Sequence, residues 1–189
     1  ETTGLEIPES EPQISDEYSV QSAIGQGTNN FTVSQLNRYV AAVANKGTVY
    51  KLSLLSKTTD PDGKIIKNYE PTVVSTIDEV SDETWNLIHQ GMISMINSTA
   101  SFSGLGIQMA GKTGTAQQSE IHPDHGLFVG FAPADAPEIA IAVRIANGYS
   151  SSYAAEIGRD IVKAKYQLGD INEIITGTAS ELGAAVAGD

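Results

Sequence analysis

The chain has 189 residues, 40% hydrophobic and 18% charged, which suits one globular domain with a real core and excludes a wholly disordered protein. Its 23 acidic against 11 basic residues leave a net charge of −12, which argues against nucleic acid, a partner that demands clustered Lys and Arg. Without cysteine there is neither a disulfide scaffold nor a zinc-thiolate site, and no apolar run approaches the ~18 residues of a membrane span.

The chain opens at Glu1 with neither an initiator methionine nor a signal peptide, so it is expected to be an excised or processed piece with any anchor upstream. Residues 1–17 carry six acidic side chains and no Lys or Arg, and Pro8 and Pro12 break any helix, which predicts an extended surface arm. A tight turn follows at Ile24–Gly27. Thr32 with Gln35 forms a capping-box pattern at the start of a helix whose Leu36, Val40, Val43 and Ala44 share a face, and Gly47 supplies its stop. A strand over Thr48–Ser56, the turn Asp60-Pro61-Asp62-Gly63 and a second extended stretch to Val74 predict one hairpin. The two aspartates of that turn lack the further oxygens and terminal Glu of a calcium loop, so no metal is assigned.

Ser81, Glu83 and Thr84 begin the next helix, in which Trp85, Ile88, Met92, Met95 and Ile96 keep core spacing. His89 has no second ligand at i±4 and is read as structural or surface. A strand over 108–117 leads to a polar loop, Gln118–Gly126, expected to rim a cleft. Its His122 and His125 would share a helical face on a metal, but Pro123 opposes a helix there. Leu127–Ala132 and Glu138–Ala146 are apolar strands joined by Pro133–Pro137, with both faces apolar, so the sheet must be covered on both sides. A last helix, Ser152–Leu168, offers Ala155, Ile157, Ile161, Val162 and Tyr166 for that cover. The fold class expected is α+β, a mainly antiparallel sheet with helices on both faces. Residues 1–168 are assigned to one domain and 169–189 to a Gly/Ala-rich acidic tail, either a loose extension or docked on a neighbour.

The run Lys112-Thr113-Gly114-Thr115 sets a cation, two hydroxyls and a side-chain-free position together. On a strand, Lys112 and Gly114 point to one side and Thr113 and Thr115 to the other. At a sheet edge Gly114 would let a substrate backbone lie close, and outward N–H groups would pair with an extended peptide or face a developing oxyanion. Alone, Lys-Thr-Gly is three common residues and would as well be a polar turn or strand end. Its weight comes from its pairing with Ser-x-x-Lys and a Ser-Asn triplet in penicillin-binding proteins and serine β-lactamases.

In order along the chain, Thr3–Glu9, Ala23–Gly27, Gln35–Gly47, Ala110–Gln117 and His125–Pro133 closely resemble class B penicillin-binding proteins, the peptidoglycan D,D-transpeptidases. The resemblance implies the β-lactamase/transpeptidase fold in incomplete form, no cofactor, and a place on the extracytoplasmic face of the cell membrane. It implies that Lys112 lines the groove, that the Thr113 and Thr115 hydroxyls bind the carboxylate of a stem peptide or β-lactam, and that the Thr115 N–H is an oxyanion donor. The chain contains no Ser-x-x-Lys and no Ser-x-Asn, so the nucleophile, its lysine and the proton-shuttling serine are expected in a missing N-terminal part, possibly a second chain. This chain alone is expected to be inactive. The alternatives are a non-catalytic penicillin-recognising or sensor module, and a serine β-lactamase relative.

Overall fold

Thr32 does what its spacing predicts. Its Oγ1 accepts the Gln35 N–H at 3.2 Å while Gln35 Oε1 accepts the Thr32 N–H at 2.9 Å, and helix α2 runs Val33–Ala44 behind them. The structure is a computed structural model that describes residues 3–5, 7–15, 18–117 and 121–175. The chain divides into two compact units, Glu1–Trp85 and Asn86–Asp189.

In the first unit a four-residue helix, α1 (Ser19–Ser22), precedes α2. Helix α2 buries Val40, Ala42, Val43 and Ala44 and stops through the left-handed Lys46 (φ 54) and Gly47 (φ 106), whose N–H reaches Ala42 O at 2.8 Å. Gly47 is required, because a Cβ there would lie 2.8 Å from Ile77 O.

The acidic arm is fastened to this helix. The Glu9 carboxylate accepts from the Ser34 hydroxyl at 2.6 Å and from Thr3 through both its N–H (2.7 Å) and Oγ1 (2.6 Å), and Thr3 is fully buried. Bonding to Ser34 first, then to Thr3, holds the Glu9 carboxyl below its usual range. A negative charge at the start of α2 also matches the helix dipole.

The single hairpin expected over 48–74 is two nested ladders. β1 (Thr48–Lys51) pairs antiparallel with β4 (Thr72–Thr76), and β2 (Lys57–Thr59) pairs with β3 (Ile65–Asn68) around the predicted Asp60–Gly63 turn. Asp60 Oδ1 closes that turn by accepting the N–H groups of Asp62 and Lys64. Pairing breaks over 52–56 because the Leu52 N–H is taken by Thr3 O at 2.9 Å, so the arm competes with the strand for the ladder.

Helix α3 (Asp82–Ser98) begins at the end of the first unit and continues in the second, followed by a 3₁₀ turn at Ala100–Phe102. The second unit holds a three-stranded antiparallel sheet in the order β5 (Ala110–Ala116), β6 (His125–Ala132), β7 (Ile139–Ile145). Strand β6 starts two residues earlier than predicted, and His125 is a buried strand residue rather than part of the loop. Helix α4 (Ser151–Tyr166) lies on the Phe128 face of the sheet and a short helix, α5 (Ile171–Ile175), follows. The tail beyond residue 175 lies outside the described residues.

Of the side chains expected to pack from helix α4, Ala155 and Val162 are fully buried and Tyr166 lies against the core, but the two isoleucines do not pack. Ile157 and Ile161 are 44% and 41% exposed, and the buried stripe is Ala154, Ala155, Gly158 and Val162. The small residues bring the helix backbone close to the sheet, and the Phe128 ring fills the gap against Gly158, Gly111 and Gly130. Phe102 stacks on the same ring at 5.7 Å between centroids. On the opposite face Phe131 meets the ring of His89 from α3 at 4.9 Å and 55°, which makes His89 a buried structural residue.

Candidate functional site

Strand β5 carries the Lys-Thr-Gly-Thr run, and among the described residues it pairs with β6 alone, leaving its other side an open edge. The register is Lys112↔Val129, Thr113↔Phe128, Gly114↔Leu127 and Thr115↔Gly126. Cross-strand partners share a face, so Thr113 and Thr115 lie with Phe128 on the α4 side, and Lys112 and Gly114 lie with Leu127 and Val129 on the other. All four predicted site residues therefore stand side by side along one edge strand.

The first turn of chemistry is polar and open. Lys112 and Thr115 are exposed, Thr113 and Gly114 half-buried. The Lys112 ammonium folds back to donate to Thr113 O at 2.7 Å. An ammonium, two hydroxyls and edge N–H groups on one strand are the chemistry that a carboxylate or an extended peptide would need.

The glycines of β5 and β6 separate by what each is for. A Cβ on Gly111 would lie 2.7 Å from the Phe128 ring, on Gly126 2.5 Å from Ser150 O, and on Gly130 2.8 Å from Ala110 O. Those three are required by packing. At Gly114 a Cβ would make ordinary contact with Leu127 at 3.6 Å, and its backbone is not left-handed. Nothing among the described residues requires Gly114 to be glycine.

The strand is held from behind at its C-terminal half. His125, the partner of Ala116, accepts the Asn147 N–H at Nδ1 (2.9 Å), and its Nε2 lies 2.9 Å from Arg144 Nη2. This constellation was missed in the sequence because polar residues around Pro123 read as loop; the His125-Gly126 pair leading into an apolar strand is the signal that would have found it. His122 and Asp124 stay in the bend before β6, and no group of three metal-ligating side chains occurs among the described residues. Two concavities, of about 560 and 630 Å³, lie in the first unit around Phe31, Leu36 and Tyr39 and around Leu52, Leu54 and Tyr69, and neither borders β5. An edge strand is shallow by construction, so depth does not mark it.

Comparison with known proteins converges on one family. The penicillin binding protein transpeptidase domain matches residues 1–163. Among curated relatives, the peptidoglycan D,D-transpeptidase MrdA of Acinetobacter baumannii is 37% identical over 171 residues, covering 76% of this chain and 23% of the relative. Penicillin-binding protein 2B of Streptococcus pneumoniae is 29% identical over 181 residues, covering 82% and 26%. The chain thus spans about a quarter of the length of these relatives. Among solved structures, the imipenem acyl-enzyme of penicillin-binding protein A from Mycobacterium tuberculosis superposes with a TM-score of 0.73 at 27% identity, over 87% of this chain and 40% of that one. Penicillin-binding protein 2B from S. pneumoniae gives 0.73 at 27%, over 89% and 31%. With the family covering most of its length and the Lys-Thr-Gly-Thr run set on an open sheet edge, this chain belongs to the penicillin-binding protein transpeptidase family.

Proposed function

We propose that the chain is the C-terminal portion of a class B D,D-transpeptidase domain, and that it supplies the substrate-binding wall while a Ser-x-x-Lys segment outside this sequence supplies the nucleophile. The observation that carries this is Gly114, a strand glycine that internal packing does not call for, flanked by Lys112, Thr113 and Thr115 on an open edge. A glycine with no internal reason is answerable to something that lies against the strand from outside.

In this reading a stem peptide ending in D-Ala-D-Ala extends along β5 as an added strand. The Thr113 and Thr115 hydroxyls and the Lys112 ammonium receive its terminal carboxylate. The incoming serine Oγ bonds to the penultimate D-Ala carbonyl carbon, the C–N bond to the last D-Ala breaks, and that amine leaves with a proton. An acceptor amine on a second stem peptide then takes the acyl group and releases the serine. The Thr115 N–H donates to the oxyanion, a role worth about 3 kcal/mol of barrier, which requires the strand to be rigid. A β-lactam enters the same edge and leaves the serine acylated, as the relatives' acyl-enzyme structures illustrate for those proteins. The reaction places the site on the extracytoplasmic side of the membrane, with peptidoglycan.

Fluorescent penicillin, added to this chain alone and to it joined with the Ser-x-x-Lys portion, tests the assignment. Covalent label is expected only with both parts, as a long-lived adduct. Label on the isolated chain would overturn the upstream nucleophile, rapid turnover would favour a β-lactamase, and no label with both parts would favour a binding module. Gly114→Ala should leave folding unchanged and reduce labelling at least tenfold by obstructing the bound strand; unchanged labelling would remove the argument from Gly114.

A further inference from the structure

We infer that His125 is a positioning residue for the proposed reaction, the pin of a backbone clamp that fixes the Thr115–Ala116 end of the substrate-binding strand; the inference rests on the function proposed above. Three consecutive residues, Asp124 just before β6 and His125 and Gly126 at its start, engage the corner between β7 and α4. Asp124 O accepts the Tyr149 N–H at 3.2 Å, His125 Nδ1 accepts the Asn147 N–H at 2.9 Å, and Gly126 runs so close to Ser150 that a Cβ would sit 2.5 Å from its carbonyl oxygen. The corner itself is under constraint, because Asn147 (φ 53) and Tyr149 (φ 62) both hold left-handed backbone without being glycine.

The clamp bears on the site through register. His125 and Gly126 are the partners of Ala116 and Thr115, so whatever fixes the start of β6 fixes the residue whose hydroxyl and N–H face the substrate. His125 is buried and its ring is contacted at both nitrogens, at Nδ1 by the Asn147 N–H and at Nε2 by the Arg144 guanidinium. The ring is thereby set in one orientation between two strands. It touches no reacting atom; its part is to hold Thr115 where an oxyanion donor must be, within tenths of an ångström.

The two ring nitrogens can be tested apart. Asparagine at 125 places Oδ1 near the Nδ1 position and keeps an acceptor for the Asn147 N–H; glutamine reaches toward Nε2 and gives that acceptor up. In the complete transpeptidase, His125→Asn should be acylated by fluorescent penicillin within about twofold of the parent rate, and His125→Gln about tenfold more slowly. Amide exchange at Thr115 and Ala116 should be faster in the Gln variant only. Equal acylation and equal exchange in the two variants, or an Asn variant that fails to fold, would overturn the inference. Should the parent protein take no penicillin at all, the function proposed above fails, and the exchange comparison still decides the clamp.

Discussion

Gly158→Ala separates packing from helix propensity most sharply. In an exposed helix the change would stabilise by about 1 kcal/mol, because alanine is the better helix former. Here the new methyl would be driven into Phe128 Cδ1 and Cε1, more than about 1 Å inside the 3.5–4.0 Å of ordinary carbon contact. The ring has no retreat. Gly111 and Gly130 lie against its far edge, where Cβ atoms would sit at 2.7 and 2.9 Å, Phe102 stacks on it, and Phe128 is fully buried. Overpacking of this kind costs about 1–3 kcal/mol, and closure on three sides puts it at or above the upper end. The net expectation is a loss of about 2 kcal/mol, or about 6 °C in melting temperature for a chain of this size. Urea or thermal denaturation followed by circular dichroism measures it. Adding Phe128→Leu should recover part of the loss, with a coupling of about 1 kcal/mol in the double-mutant cycle. A Gly158→Ala chain that melts at or above the parent temperature would refute the close helix-to-sheet contact.

Thr32→Ala removes the hydroxyl half of the capping box and keeps the backbone N–H half, and should cost about 1 kcal/mol in urea denaturation; a smaller loss than from Ser34→Ala would mean the box is not what starts α2. Glu9 has its folded carboxyl lowered by Ser34 and Thr3, so its stabilising share is full above the unfolded value near 4.3 and is lost as pH falls through the folded value. Acidification below the unfolded value should therefore lower the exchange protection factor (intrinsic over observed rate) of the Leu52 amide, whose N–H is held by Thr3 O, and Glu9→Gln should flatten that pH dependence. An arm equally protected at neutral and acid pH would count against Glu9 as its fastening. Thr115→Val keeps the backbone donor and deletes the hydroxyl, so under the proposed function it should weaken acylation of the complete enzyme by about tenfold through lost carboxylate binding; an unaltered acylation rate removes the hydroxyl from the site.

The elements that sequence made legible are those where one local rule dominates. Thr32 and Gln35 form a capping box whatever else surrounds them, and the alternating apolar residues of 127–132 and 139–145 can only be a covered sheet. The Lys112–Thr115 alternation follows from strand geometry alone. What escaped was decided by competition between distant segments. The hairpin over 48–74 splits because Thr3 takes the Leu52 N–H, a contact no window around residue 52 contains. On α4, Ala155, Val162 and Tyr166 pack as expected, but Ile157 and Ile161 do not, because the sheet demanded small residues, Ala154 and Gly158, to admit Phe128. His125 was placed in a loop because its neighbours are polar, and its burial depends on Asn147 and Arg144, some twenty residues on.

The same ring that makes α4 fit also bears on the site. Phe128 is the register partner of Thr113, so a fully buried ring sits directly across from the first hydroxyl of the Lys-Thr-Gly-Thr run. Gly111, Gly130 and Gly158 give up side chains to seat that ring, and Gly126 gives one up to admit the Ser150 backbone next to Thr115. Each of these glycines trades conformational entropy for a closer backbone approach, and all four approaches converge on β5 or on the strand that registers it. Gly114 alone on that pair of strands makes the same concession with no protein group to receive it. A strand made rigid on its inner side, with one glycine left over on its open edge, is what a site needs when its donors must already be in place as charge develops on a bound carbonyl.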